Sequence, residues 1–381
     1  METDQPPHPA QAQVPDFDRW ACNTTEVMEI GLVSPSQDDP YNVDTEYFQP
    51  EFTYPIFGMH ETAFGYKDLK IKILLTSGSL RTYVSITNSG HYQPSSSSTS
   101  DNNVAIDDVP GMLKKYLSPD TTTNYDTFFS MVKEEDTSFS PIGQLVHSYS
   151  IENDEGTQEQ YQIFKSSFKD PGFREYHRRM QFLVLLFIEG SSYIEDDDEK
   201  WEIYTVYKAN KRSAAETQYQ FVGYSTFLIL PPFQGMSHGR ILYQFLYEQF
   251  AKRKDVGEIT VEDPNDGFCD LRDRNDYRFL EEHDAFRDLT VPVPQAQIDH
   301  IQQKFKLTNR QAQTCIELHL LSKLDKKNSQ DYKAYRLQVK QRLYKFNYDA
   351  LQDMDPAELK EKLNNTYIGV EDDYYRILEK V

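Results

Sequence analysis

Two neighbouring carboxylates, Glu262 and Asp263, close a stretch that opens with Phe227-Leu228-Ile229-Leu230 and passes through Gln234-Gly235-Met236-Ser237-His238-Gly239-Arg240. A carboxylate pair beside a ligand and partly desolvated can act as a general base. The glycine-bearing turn suits other chemistry. Its backbone amides and the unpaired donors of the following helix point outward at the positive end of the helix dipole, and phosphate oxygens bind there. Glycine matters in such a turn because a side chain would hold the ligand away from the backbone. A third carboxylate, Glu189, closes an apolar helix, where it should be reluctant to ionise.

Several elements must hold these groups. Phe227 to Leu230 is a run of strand formers stopped by Pro231-Pro232, since proline cannot donate to a sheet ladder. Ile241, Leu242, Phe245, Leu246 and Phe250 then recur at helical spacing, so the order is strand, turn, helix. His238 reads as a turn residue. Glu258-Ile259-Thr260-Val261 predicts a second short strand, whose end delivers Glu262 and Asp263 to the place where ligands of open α/β sheets sit. Phe268 to Glu282 predicts a helix with Asp270 and Arg274 paired at i, i+4. Phe173 to Glu189 predicts another, with Met180, Phe182, Leu183, Leu186 and Phe187 making its apolar side. Asp196-Asp197-Asp198-Glu199 reads as a solvated turn and Trp201 to Lys208 as a strand. Tyr219 to Leu230 runs as one extended apolar stretch with only Gly223 as a turn signal inside it.

The rest of the chain divides around this centre. Residues 1–15 are expected to be disordered, and 16–150 to form a β-rich domain. In that domain Thr24 to Val33 is strand-like, Asp38 to Tyr41 is a turn, and Leu69 to Leu75 with Leu80 to Ile86 form a hairpin around Ser77-Gly78. Ser95 to Ser100 is a low-complexity loop, and Val109 to Leu117 and Asn124 to Val132 are short helices. The polar run Glu152 to Glu159 connects into a core over 151–288. Val291-Pro292-Val293-Pro294 is a stiff linker, and 289–381 is a small all-helical domain. Its helices fall at Gln295 to Phe305, Arg310 to Leu324 and Gln330 to Phe346, with one capped by Asp355-Pro356 and a last stretch from Glu371. The fold class is α+β.

The net charge of −21, from 61 acidic and 40 basic residues, argues against a nucleic-acid binder, which needs a basic footprint. An acidic surface attracts basic partners such as lysine-rich tails. Cys22, Cys269 and Cys315 are far apart and form no metal-ligand pattern, so reduced thiols and no metal are expected, in cytosol or nucleus. Met1 to Val14 lacks the apolar core of a secretory signal, and Phe182 to Ile188 is too short to span a bilayer.

Gln234 to Gly239 resembles the Gln/Arg-x-x-Gly-x-Gly/Ala loop of the GCN5-related N-acetyltransferases, with Ser237 in place of the first motif glycine. More closely, Phe-Leu-Ile-Leu-Pro-Pro-Phe-Gln-Gly from Phe227, Ile-Thr-Val-Glu-Asp-Pro-Asn from Ile259, Leu-Arg-Asp-Arg-Asn-Asp from Leu271, and Tyr176 to Glu189 resemble the type B histone acetyltransferase catalytic subunits. The resemblance implies a mixed-sheet acetyltransferase core that uses acetyl-CoA. It implies that Phe227, Leu228 and Ile229 hold the pantetheine arm through backbone, that residues 234–240 take the pyrophosphate, and that Asn265 and Arg274 approach the cofactor. Glu262 is the implied general base, with Glu189 and Asp263 beside it, and Met59-His60-Glu61 is implied to hold the substrate. The implied substrate is the N-terminal tail of newly made histone four, with a β-propeller histone-binding subunit as partner and a shared cytoplasmic and nuclear residence. Two departures stand out. If position 237 needs positive φ, serine strains the turn by roughly 1 kcal/mol. The family's hairpin between the strand at Phe221 and the strand at Phe227 is missing, and a second tail-contacting stretch with it. A histone-binding escort with weakened or lost catalysis is therefore the alternative function.

Overall fold

The computed structural model describes residues 17–36, 42–93, 105–213, 216–325 and 327–381; the expected disordered terminus, the turn at Asp38 to Tyr41 and the loop at Ser95 to Ser100 lie outside these. The chain gathers into two compact units, Met1–Met236 and Ser237–Val381. The division falls inside the Gln234–Arg240 loop.

Alternation builds the first unit. Its described strands are β1 (Ala21–Asn23), β2 (Met28–Pro35), β3 (Val43–Phe48), β4 (Thr62–Phe64), β5 (Tyr66–Lys67), β6 (Lys70–Thr76), β7 (Thr82–Thr87) and β8 (Gly90–His91). They continue with β9 (Gln144–Glu152), β10 (Gln158–Ser166), β11 (Ile203–Lys211), β12 (Thr217–Tyr224) and β13 (Leu228–Ile229). A four-stranded mixed sheet has the order β3-β2-β6-β7, with β2 parallel to β6 from Met28 opposite Ile71 to Val33 opposite Thr76. Ile71 and Ile73 point inward between exposed Lys70 and half-buried Lys72, which is the period-two pattern that fixes register. The expected hairpin is β6–β7. A five-stranded sheet has the order β13-β12-β11-β10-β9, and every pair in it is antiparallel. The mixed sheet thus lies in residues 28–87 and not in the expected acetyltransferase core. Two small ribbons, β1–β4 and β5–β8, complete the strands.

The first unit also holds helices α1 (Thr24–Val27), α2 (Tyr54–Phe57), α3 (Val109–Lys114), α4 (Tyr125–Ser138) and α5 (Phe173–Phe187). Helix α4 covers the four-stranded sheet, with Phe128 and Val132 against Val33 and Leu74. From Met180 to Phe187 helix α5 is buried all round, as a helix packed on more than one side must be. Its rings meet Phe221 and Tyr224 of the five-stranded sheet and Phe48 of the four-stranded one.

Three expectations fail here. Thr24 to Val33 is not all strand: Asn23 accepts the Thr25 amide at 2.9 Å and starts one helical turn before β2. The polar run at 152–159 is the turn of the β9–β10 hairpin, so residue 150 lies within a strand; β9 is mostly exposed and carries little apolar signal. Tyr219 to Leu230 is not one strand. Ser225, Thr226 and Phe227 turn it back on itself, pairing Tyr224 with Leu228 and Gly223 with Ile229. A side chain at 223 would strike the Leu228 carbonyl, so only glycine admits this close return.

The second unit is helical: α6 (His238–Lys252), α7 (Asp266–Glu282), α8 (Gln295–Phe305), α9 (Asn309–Lys323), α10 (Ser329–Phe346), α11 (Tyr348–Leu351) and α12 (Pro356–Leu378). The last two expected helices are one, capped by Asp355, whose carboxylate accepts the Ala357 amide at 2.9 Å. No described helix is long and apolar enough to cross a membrane.

Candidate active site

In the Gln234–Arg240 loop Gly235 stands at φ +76 and Ser237 at φ +71, so the position of the missing glycine does take the left-handed conformation. Ser237 is the N-cap of α6 but its side chain makes no capping bond. Capping needs extended backbone at the cap, and a left-handed serine aims its hydroxyl elsewhere. His238 is a correction: it is the first residue of α6 and only 1% exposed, because the helix starts directly after the left-handed residue. Arg240 and Met236 are exposed. Gly239 lies where a Cβ would stand 3.2 Å from Leu271, and the Tyr243 ring meets Phe268 at 5.9 Å, so the first turns of α6 and α7 pack together.

Glu262 and Asp263 lie on a bend that leads into α7, both exposed, with Asp263 at φ +41. They are not at a strand end. Glu258 to Val261 joins no sheet among the described residues, and the Ile259 amide donates instead to the Lys306 carbonyl at 2.7 Å. Asn265 caps α7 by accepting the Phe268 amide at 2.8 Å. Arg274 donates from Nε to the Asp270 carbonyl at 2.9 Å, whereas the Asp270 carboxylate is taken by Arg376 of α12, with Nη2 to Oδ1 at 2.9 Å. The expected i, i+4 pair is therefore displaced by a cation from another helix, which also holds the Asp270 carboxyl below its usual range. Behind these turns Tyr243 donates to buried Asp276 at 2.7 Å, and burial pushes that carboxyl up to about 7.

In the first unit, β13 is the terminal strand of its sheet. Leu230 donates to the Val222 carbonyl at 2.9 Å, and antiparallel alternation then aims the Ile229 amide away from β12. The Ile229 carbonyl accepts from Gln234 Nε2 at 2.9 Å, tying the loop residue to the strand. Leu228 and Ile229 are buried, and Phe227 is half-buried at φ +58.

Glu189 is exposed and not behind an apolar face. Helix α5 ends at Phe187, extended Ile188 leads the chain outward, and Gly190 turns it at φ +68. The end of α5 is gripped by an earlier segment: the Glu51 and Phe52 amides donate to the Leu186 carbonyl at 3.0 and 3.1 Å. That segment leads into α2 and the expected substrate loop. Met59 is 82% exposed and His60 exposed, whereas Glu61 turns inward and accepts the Thr53 and Tyr54 amides at 2.5 and 3.1 Å. The fold thus brings the 59–61 loop and the Glu189 turn to one end of α5. Tyr54 and Tyr116 frame that end and carry no sequence signal, since nothing in their spacing sets them apart. In the Asp196–Glu199 run, Asp196 pairs with Arg174 and Arg178 at 3.2 and 3.5 Å, and Glu199 with Lys169 at 2.7 Å.

With this geometry in place, the comparisons decide the family. The family model described as "Histone acetyl transferase HAT1 N-terminus" matches residues 20–189. A protein named histone acetyltransferase type B catalytic subunit from Cryptococcus neoformans var. neoformans serotype D is 37% identical, over 95% of this chain and 98% of its own length. The chain belongs to the type B histone acetyltransferase catalytic subunits. Proteins of the same name from Kluyveromyces lactis and Homo sapiens are 35% and 31% identical, each over 95% of this chain and over 93% and 94% of their own. As a member of this acetyltransferase family the protein is an acyl-transfer enzyme. The Cryptococcus alignment runs over 417 positions against 381 residues here, so that type B subunit carries residues where this chain has none.

Proposed function

We propose that the protein transfers the acetyl group of acetyl-CoA directly to lysine side chains on the N-terminal tail of newly made, non-nucleosomal histone four. The observation that carries this reading is the Gln234–Arg240 loop, entering an uncapped helix in a chain whose named relatives are histone acetyltransferases over nearly its whole length. The start of α6 suits a pyrophosphate: it has neither a side-chain cap nor a carboxylate in its first turn, so no side chain of that turn competes with an anion. Acetyl-CoA supplies an acyl thioester. Residues 234–240 bind its pyrophosphate, Asn265 and Arg274 approach the cofactor, and the backbone of Phe227, Leu228 and Ile229 holds the pantetheine arm and polarises the carbonyl.

A free lysine, with a pKa of about 10.4, is an ammonium at neutral pH and cannot attack. Glu262 removes that proton, with Asp263 and Glu189 sharing it or tuning the base, and the amine attacks without a covalent intermediate on Cys269. Met59, His60 and Glu61 hold the tail. A β-propeller histone-binding subunit is the proposed partner, in cytoplasm and nucleus.

Mass spectrometry of a tail peptide incubated with the protein and acetyl-CoA tests the reading; a mass gain of one acetyl group is expected. Glu262→Gln should lower turnover at least about a hundredfold with acetyl-CoA affinity nearly unchanged, and unchanged turnover would remove Glu262 from the role. One observation favours the escort alternative. Ser237 at φ +71 and Phe227 at φ +58 place two side-chain-bearing residues in strained backbone at the cofactor strand and loop. An escort would bind the tail peptide and leave its mass unchanged.

A further inference from the structure

The turn that carries Glu189 is fastened on several sides. Gly190 donates its amide to Tyr54 Oη at 2.6 Å, Ser191 Oγ donates to the Val184 carbonyl at 3.0 Å, and the Ile194 amide donates to buried Gln181 at 3.0 Å. Tyr193 Oη donates to the Tyr116 carbonyl at 2.9 Å, and Tyr116 Oη in turn to the Pro55 carbonyl at 2.9 Å. Tyr54 and Pro55 begin α2, whose amide end is closed by the Glu61 carboxylate. The Glu189 carboxylate itself has no partner among the described residues and is exposed. An exposed glutamate has free rotamers, so its reach is set by where its backbone is held. One hydroxyl therefore joins the peptide after Glu189 to the loop that ends in Glu61.

We propose that Tyr54 is a positioning residue: its hydroxyl fixes the Glu189–Gly190 peptide against the α2 loop and so sets where the Glu189 carboxylate stands relative to a lysine-bearing peptide held by residues 59–61. This deepens the acetyltransferase reading and rests on it. Tyr54 touches no reacting atom in this scheme; it acts through Glu189.

Tyr54→Phe keeps the ring against Phe52 and removes one hydroxyl. The expected results are Gly190 amide exchange faster by about tenfold with α5 amides unchanged, kcat on the tail peptide lower by about tenfold, and the KM for acetyl-CoA within about twofold. In a Glu189→Gln background the same change should cost less than about twofold, because residues acting as a unit are not additive. Tyr207→Phe, which removes a buried hydroxyl bond to Tyr176 in the same unit, serves as the purely structural control and should leave kcat unchanged. Full additivity with Glu189→Gln, unchanged Gly190 exchange, or an equal loss in Tyr207→Phe overturns the positioning role alone. A native protein that leaves the tail peptide unacetylated overturns the acetyltransferase reading, and the positioning role with it.

Discussion

Ser237 stands where backbone at φ +71 favours glycine, and it does so without the capping bond that would offset the cost. The left-handed conformation costs a residue with a Cβ about 1–2 kcal/mol. Ser237→Gly is therefore expected to stabilise the protein by about 1 kcal/mol in urea unfolding and to tighten acetyl-CoA binding severalfold by calorimetry. No gain in either would mean that the surrounding loop sets this conformation at no cost. Asn265 shows the opposite economy: its side-chain oxygen accepts the Phe268 amide and closes the start of α7, the kind of bond Ser237 lacks at α6.

At the scale of elements, the β6–β7 turn is held by a single carboxylate from α4. Glu135 accepts from Thr76 Oγ1 at 2.5 Å, from the Gly78 amide at 2.6 Å and from Ser79 Oγ. The same turn meets the five-stranded sheet, where the Phe221 amide donates to the Ser77 carbonyl at 2.7 Å, and α5, where Tyr176 donates to the Gly78 carbonyl at 2.9 Å. Glu135→Ala leaves three donors without their acceptor and is expected to destabilise the protein by about 2–4 kcal/mol in chemical denaturation, since bonds to a charged acceptor are the strong ones. A loss under about 1 kcal/mol would show that water replaces the carboxylate. Glu135 lies in a helix whose extent was legible in part, but its three partners are 56 to 59 residues away in sequence, and no local pattern pairs them.

At the scale of the whole molecule, two buried groups give the units opposite responses to pH. His177 is packed among Phe168, Phe173 and Tyr224, and burial pushes it down to about 4. An unfolded histidine takes a proton below about 6.5, so the stability His177 contributes is complete above that pH and is lost as pH falls towards 4, by up to roughly 3 kcal/mol. Asp276 is raised to about 7 by burial, so its protonated form belongs to the fold; the stability it contributes is complete below about 4 and is lost as pH rises through 7. Between pH 7 and 5 the second unit is expected to gain relative to the first. Calorimetric melts should show this, with His177→Phe removing the acid loss and Asp276→Asn the neutral-pH loss; melts that keep the same dependence in both variants would refute it.

Periodicity alone determined most of the helices and the β6–β7 hairpin, because 3.6- and two-residue repeats are local and Asn, Thr and Asp caps mark the ends of α7, α9 and α12. The likeness of Gln234–Gly239 to a glycine-rich loop raised the question of positive φ at 237, and the backbone there does stand at φ +71. Only the tertiary structure decided the rest. β9 exists because β10 offers it an edge, Glu258 to Val261 stays outside every described sheet because Ile259 finds Lys306, and Arg376 rather than Arg274 reaches the Asp270 carboxylate. Each of these depends on a partner remote in sequence, and a hydrogen bond goes to the group that arrives in reach, whatever the local spacing prefers.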